Sequence, residues 1–359
     1  MFVKIGKVLM LLALKLRLPI NFVVKRTIFK QFCGGETISE CAPTIEVLGS
    51  QGIGTILDYS VEGKTQEGDF DKTTAIIIDT IKKANQEKNI PFAVFKITGI
   101  SQFSLLEKAS SKEIKLSENE LTELAKVEGR ILKICETAHG LNVPVFIDAE
   151  ESWIQDIIDT WAFQMMCLFN KERTIVYNTI QMYRHDRLQF LKSCLQKALD
   201  KKVSYGVKLV RGAYMEKERE RAFAMNYPSP IQSNKKATDD DYNEAQNFIL
   251  DNINHFSLVA GTHNEKSSMQ LATQLEKYEI AKDDHRVFFA QLLGMSDHIT
   301  FNLSNEDFNV AKYVPFGPVK EVMPYLLRRA DENTSVAGQT GRELSLIVTE
   351  KNRRRKAKA

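Results

Sequence analysis

Eight short apolar runs, each followed by a longer stretch of helical periodicity, limit what this chain can fold into more than any other feature. The runs are 54-GTILDY-59, 92-FAVFKI-97, 143-VPVFID-148, 174-TIVYNTIQ-181, 205-YGVKLVR-211, 257-SLVAGT-262, 286-RVFFAQ-291 and 311-AKYVPF-316. They are rich in β-branched and aromatic residues and mostly apolar, the pattern of strands buried on both faces. The segments between them are amphipathic, as in 70-FDKTTAIIIDTIKKANQ-86 and 117-SENELTELAKVEGRILKICETAHG-140. The second opens on a Ser-x-x-Glu capping box and closes on a glycine, the expected start and stop signals. Strands alternating with covering helices make a parallel sheet, and eight such units predict a closed (β/α)8 barrel of the TIM type. A doubly wound sheet is the competing arrangement, but no G-x-G-x-x-G follows any strand. Gly49, Gly52 and Gly54 come in the wrong order and precede a strand.

The chain's 359 residues suffice for one large domain or two ordinary ones. The pattern divides them into an N-terminal helical, basic extension (1–50), the barrel (51–336) and a basic C-terminal tail (337–359). A net charge of +3 leaves no footprint for nucleic acid. The run 351-KNRRRKAKA-359 is local and is expected to be a frayed, solubilising end. Five cysteines, Cys33, Cys41, Cys135, Cys167 and Cys194, occur without any C-x-x-C spacing. They point to buried thiols in a reducing compartment, not to disulfides or zinc, and no metal site is expected. The first 35 residues hold seven Lys or Arg and no acidic residue, and their longest apolar run, VLMLLAL, stops at Lys15. That run is too short to span a bilayer, and no small-residue cleavage site follows it. A basic amphipathic helix touching a membrane surface, a transit-like segment and a helix packed on its own domain all fit this start.

In barrels of this kind the active site lies at the C-terminal ends of the strands. From the second strand onward these ends carry Lys96, Asp148, Gln181, Lys208 with Arg211, Thr262 with His263, Gln291 and Tyr313. Singly, each has a plainer role: Asp148 as a cap of the next helix, Lys96 as a rim lysine, His263 as a loop histidine. Seven strands in succession ending in groups that donate, accept or carry charge point to one polar pocket, because burying such groups unpaired is costly. Beyond the eighth strand, Tyr325, Arg328, Arg329 and Glu332 stand three or four apart and share one helical face. That face is either solvated surface or a clamp in which adjacent guanidinium groups grip one carboxylate or phosphate. With Lys96, Lys208 and Arg211 added, and only Asp148 and Glu332 opposing, the pocket is net basic and expects an anionic ligand.

The segments 208-KLVRGAYMEKER-219, 262-THN-264, 291-QLLGMSD-297 and 325-YLLRRADEN-333, in this order, resemble the proline dehydrogenase family of flavin-dependent (β/α)8 enzymes. The resemblance runs from about residue 29 to 336, and 29-FKQFCGGET-37 and 57-LDYSVEGK-64 are similar to stand-alone members. It implies oxidation of L-proline at C5 to Δ1-pyrroline-5-carboxylate, with FAD as cofactor and a membrane quinone as electron acceptor. It implies that Arg328, Arg329 and Lys96 hold the proline carboxylate, that Tyr214, Tyr313 and Tyr325 wall the ring, and that Asp148 orients these groups. It assigns Ala149, Gln181, Lys208, Arg211, Gly212, Ala213, Thr262, His263, Gln291 and Glu332 to FAD. Asp148 and Lys208 would be the catalytic pair, with Lys208 near the reactive edge of the isoalloxazine. Many bacterial relatives have Arg where Lys208 stands, and some have Trp where Met215 stands. The bulk of Tyr313 favours proline over hydroxyproline. The compartment implied is the bacterial cytoplasm, with peripheral contact at the inner membrane, or the matrix side of the mitochondrial inner membrane. The alternatives are a lysine Schiff-base lyase or aldolase using Lys96 or Lys208, a hydroxyproline-directed dehydrogenase, and a membrane-associated scaffold with an inert barrel.

Overall fold

The computed structural model of the chain describes residues 24–357, apart from 62, 112 and 336–338, and gives only the backbone for 330–335, 339–344, 346, 347 and 357. All eight apolar runs form strands within two residues of their expected ends. They are β1 (Gly54–Tyr59), β2 (Phe92–Phe95), β3 (Val145–Ile147), β4 (Val176–Gln181), β5 (Tyr205–Val210), β6 (Phe256–Gly261), β7 (Val287–Leu292) and β8 (Val310–Phe316). Each pairs in parallel with its sequence neighbours, and β8 returns to β1 in a register running from Gly54–Ala311 to Tyr59–Phe316. The result is the closed eight-stranded barrel that the alternation predicts.

The helices are α1 (Ala42–Gly49), α2 (Glu67–Gln86), α3 (Phe103–Ser110), α4 (Glu118–Gly140), α5 (Ser152–Phe169), α6 (Arg187–Lys201), α7 (Met215–Ala224), α8 (Lys235–Asp251), α9 (Glu265–Lys277), α10 (Asp297–Asn305), α11 (Met323–Ser335) and α12 (Gln339–Ala357). The capping box at α4 is present. Ser117 Oγ accepts the Glu120 N–H at 3.3 Å, and Glu120 Oε2 accepts the Ser117 N–H at 2.9 Å. The buried stripe of α4, Val127, Ile131, Ile134, Cys135 and Ala138, repeats every three or four residues. Burial of each large aliphatic chain there contributes about 2 kcal/mol. The backbone is helical over Gln339–Ala357, which takes in most of the 351–359 run expected to be a frayed end.

Two layers of core follow from the alternation of side chains along each strand. Outward residues meet the helices in one large cluster, which also takes in Cys41, Ile45 and Leu48 from the N-terminal extension. Inward residues, among them Ile56, Phe92, Val94, Phe146 and Tyr177, fill the barrel axis. The Phe92 ring stacks on Phe146 with centroids 4.6 Å apart and meets Phe288 edge-on at 4.8 Å. These rings come from early or middle strand positions, so the lower barrel is solid and the C-terminal ends are left to polar groups. The five cysteines are free, four of them buried.

Residues ahead of α1 lie across the end of β8. The Gly34 N–H donates to Pro315 C=O at 2.9 Å, and Gly35 bridges Phe316. Phe29, Phe32 and Cys33 then pack with Val322, Tyr325 and Leu326 in a separate buried cluster. The extension is therefore a strap over the helix that carries the two arginines. Residues 1–23, on which the membrane-contact expectation falls, lie outside the described residues. Among the described residues no helix is long and apolar enough to cross a membrane.

Candidate active site

The C-terminal ends of the strands surround a cavity of about 1000 Å3. Lys96, Asp148, Ala149, Gln181, Lys208, Arg211, Gly212, Ala213, Tyr214, Thr262, His263, Gln291, Tyr313, Tyr325, Arg328 and Arg329 all line it. The side chain of Glu332 lies outside the described residues. Seven strand ends and one helix face, spread over more than half of the sequence, thus meet in one space.

Asp148 organises its centre. The Lys208 ammonium donates to Asp148 Oδ1 at 2.5 Å, and the Tyr313 hydroxyl donates to Oδ2 at 2.6 Å. Lys96 Nζ stands 3.6 Å from the same Oδ2. Asp148 therefore does not cap α5, whose N-cap residue is Glu151. Burial draws its carboxyl pKa upward, but Lys208 and Lys96 outweigh that and hold it below the usual aspartate range. Burial, and then the Asp148 charge, drive the Tyr313 phenol far above its ordinary value, so it remains a donor. Lys208 also lies over the Tyr313 ring, 4.4 Å from its centroid, which fixes ring and ammonium together.

Arg211 is held by three acceptors. It donates to Asp239 at 2.7 Å, to Thr262 Oγ1 at 2.6 Å and to Ser267 Oγ at 2.9 Å, with its guanidinium 4.3 Å from the Tyr242 ring centroid. Gln291 is anchored as well, donating to Thr262 C=O at 3.3 Å and accepting from Thr300 at 2.8 Å. His263 pairs with Ser296 Oγ at 3.0 Å, and its remaining accessible surface opens to the cavity. Burial, then the positive charges of Lys312, Arg329 and Arg211, push its imidazole down to about 3. His263 is neutral there. Gly212, at φ +132°, turns the chain out of β5; an added Cβ would lie 2.5 Å from the Tyr183 ring.

The arginine face points inward. Arg329 is 6% exposed and lies over the Tyr325 ring at 5.3 Å, and Arg328 stands 6.0 Å from the Tyr214 ring centroid. Of the two roles for this face, the solvated surface is excluded: both arginines look onto the cavity that holds Lys96 and Asp148.

Three groups escaped the inspection of strand ends. Asp58 of β1 is buried and takes Lys96 at 3.4 Å, so Lys96 sits between two carboxylates and the mouth is less basic than expected. Asp58 lies one residue inside the end of its run, and an inspection of the first strand would have found it. Lys312, 1% exposed within β8, donates to Met295 C=O at 2.6 Å and pairs with Asp297 at 2.8 Å, pinning the loop before α10. Glu150, in the acid-rich 148-DAEES-152, is buried against Thr98. Burial raises its carboxyl to about 8, against the Thr98 hydrogen bonds that pull it down.

Fold and site together define a (β/α)8 enzyme whose mouth brings paired arginines to one cavity with a lysine–aspartate–tyrosine cluster. The family model described as proline dehydrogenase matches residues 41–342, and the chain belongs to that family. It is 35% identical to "Proline dehydrogenase 1, mitochondrial" of Dictyostelium discoideum, over 94% of this chain and 66% of that protein. It is 33% identical to "Carbapenem antibiotics biosynthesis protein CarD" of Pectobacterium carotovorum, over 90% of this chain and 83% of the relative. Among solved structures it resembles proline utilization A (PutA) from Bdellovibrio bacteriovorus inactivated by N-propargylglycine. The TM-score is 0.77 at 20% identity, over 86% of this chain and 33% of that one. The chain thus spans somewhat less than two thirds of the Dictyostelium relative and about a third of the PutA chain. Family membership sets aside the Schiff-base and scaffold alternatives, and Lys96 and Lys208 are both committed to carboxylates.

Proposed function

We propose that this protein oxidises L-proline at C5 to Δ1-pyrroline-5-carboxylate, using FAD and passing electrons on to a membrane quinone. The observation that carries the proposal is the meeting of Arg328, Arg329, Lys96 and the Asp148–Lys208–Tyr313 cluster in one cavity. The residues present fit the cofactor. Ala149, Gly212, Ala213 and Gly261 give the wall small residues, and Arg211, held by its three acceptors, lines the same cavity. Gln181 Oε1 is buried at the same wall with no hydrogen-bond partner among the described residues, an acceptor awaiting an N–H donor. The volume sits at the upper end of ligand sites, room for a dinucleotide and a small amino acid.

Ala149, Gln181, Lys208, Arg211, Gly212, Ala213, Thr262, His263 and Gln291 are the residues assigned to FAD. When bound, FAD supplies the two-electron acceptor for the C5 hydride. The two guanidinium groups grip the proline carboxylate from consecutive positions of one helix turn and fix the ring's distance and tilt, the main requirement for hydride transfer. Tyr313, Tyr325 and Tyr214 exclude water from the ring. Tyr313 also narrows the space for a 4-hydroxyl, which favours proline over hydroxyproline. Lys208 places a fixed positive charge where negative charge accumulates on reduction, and Asp148 holds that charge in position. The proline amine gives up its proton to solvent before hydride leaves.

The direct test is the visible spectrum of the purified protein before and after addition of L-proline. A yellow protein that bleaches supports the proposal, and a colourless or unresponsive one refutes it. Arg328→Ala and Arg329→Ala are each expected to raise the proline KM about 100-fold, with FAD content unchanged in Arg328→Ala. Proline saturation unchanged in both would remove the clamp. Delivery to quinone places the enzyme at a membrane face, bacterial inner membrane or mitochondrial matrix side, the latter in keeping with the relatives named mitochondrial. Deleting residues 1–20 is expected to weaken binding to lipid vesicles; equal binding counts against a contact through the N-terminus.

A further inference from the structure

A buried chain of amides runs outward from the cavity wall. The Gln181 amide NH2 donates to the Glu150 C=O at 3.0 Å, and the Glu150 N–H donates to Gln155 Oε1 at 2.8 Å. Gln155 NH2 donates to Asp159 Oδ1 at 2.9 Å. Asp159 also receives Asn178 at 2.8 Å on Oδ1 and Arg187 at 2.7 Å on Oδ2. Gln155, Asn178 and Gln181 are at most 2% exposed, and Arg187 is 2% exposed. The residues beyond Gln181 and Glu150 stand on α5, β4 and α6, and none of them lines the cavity.

The chain has one allowed polarity. An ionised carboxylate only accepts, so Gln155 must turn its NH2 to Asp159 and its oxygen to the Glu150 N–H. A backbone carbonyl also only accepts, so Gln181 must turn its NH2 to Glu150 and its oxygen to the cavity. An amide free to flip would offer the cavity a donor half of the time. The same peptide segment carries Asp148 and Ala149, so anchoring Glu150 fixes the backbone on which both stand.

We infer that Gln155, held by Asp159, is a positioning residue: by anchoring the Glu150 peptide it holds in place the carbonyl that keeps the Gln181 amide oxygen available to the imide N–H of the cofactor. The inference rests on the flavoenzyme function proposed above. Gln155 touches neither cofactor nor substrate and acts only through the Glu150 peptide.

The test is a double-mutant cycle read by FAD binding to apo-protein, measured by quenching of flavin fluorescence. Gln155→Leu and Gln181→Leu are each expected to weaken FAD binding about tenfold, the loss of one oriented hydrogen bond. The double variant is expected to lose clearly less than the product of the two single losses, because the main route from Gln155 to the cofactor runs through Gln181. Gln155→Asn, which keeps a buried amide but falls one methylene short, serves where Gln155→Leu does not fold, and is expected to show the same loss. Losses that multiply in the double variant, as from a general loosening of the fold, would overturn the inference. So would an FAD Kd unchanged in Gln155→Leu and Gln155→Asn. A wild-type protein that binds no FAD refutes the proposed function instead, which keeps the two failures apart.

Discussion

Asp148 has two ammonium groups beside it, and single changes there have separable consequences. Asp148→Ala leaves the buried Lys208 ammonium without its partner while Lys96 retains Asp58. The expected cost is about 3 kcal/mol, seen as a lower urea midpoint. An Asp148→Ala midpoint equal to wild type would mean that Lys208 finds another partner. Two further titrating groups act in opposite directions. Glu150, raised to about 8 by burial from 4.5, favours the folded state fully below pH 4.5 and progressively less as pH rises toward 8. His263, lowered to about 3 from 6.5, favours it above pH 6.5 and less as pH falls toward 3. Glu150→Gln should therefore melt with a flatter pH dependence than wild type between about pH 5 and 8. Parallel melting profiles across that range would show that Glu150 titrates normally.

At the scale of elements, the strands were legible because a parallel strand covered on both faces has no polar face to show, and each run ends where a polar residue meets the mouth. The arginine face was legible by its helical spacing, but only the closed barrel decides that it looks inward. What stayed hidden depends on three-dimensional neighbours. Lys312 stands inside an apolar run and does not mark its end. Gln155 and Asp159 read as ordinary polar positions of α5, because nothing in SWIQDIID says that both are buried. The turn after β5 carries its own prediction. Gly212→Ala must place a methyl against the Tyr183 ring at a backbone angle that L-residues rarely adopt. It is expected to cost about 3 kcal/mol and to shed FAD, measured by melting temperature and by flavin content after gel filtration. Retention of both would show that Tyr183 can move aside.

For the whole molecule, the strap matters as much as the barrel. Phe32, 2% exposed, belongs to the cluster built on α11 and not to either barrel core. Phe32→Ala is expected to raise the proline KM several-fold while the melting of the barrel changes little, since the cavity it leaves lies behind the arginines. A lowered melting temperature with an unchanged KM would show that the strap braces the barrel and not the clamp.

The six-residue seam between β1 and β8, with the strap laid across its end, also fixes an order of events during synthesis. The strap and β1 wait on the ribosome for β8 and α11, which are made after the rest of the barrel. A nascent chain stopped before β8 holds seven strands with an open edge, and one stopped before α11 closes a cylinder that lacks Arg328 and Arg329. The barrel therefore becomes competent only once α11 has been made, and products cut short of it should be inactive without any change at Asp148 or Lys208.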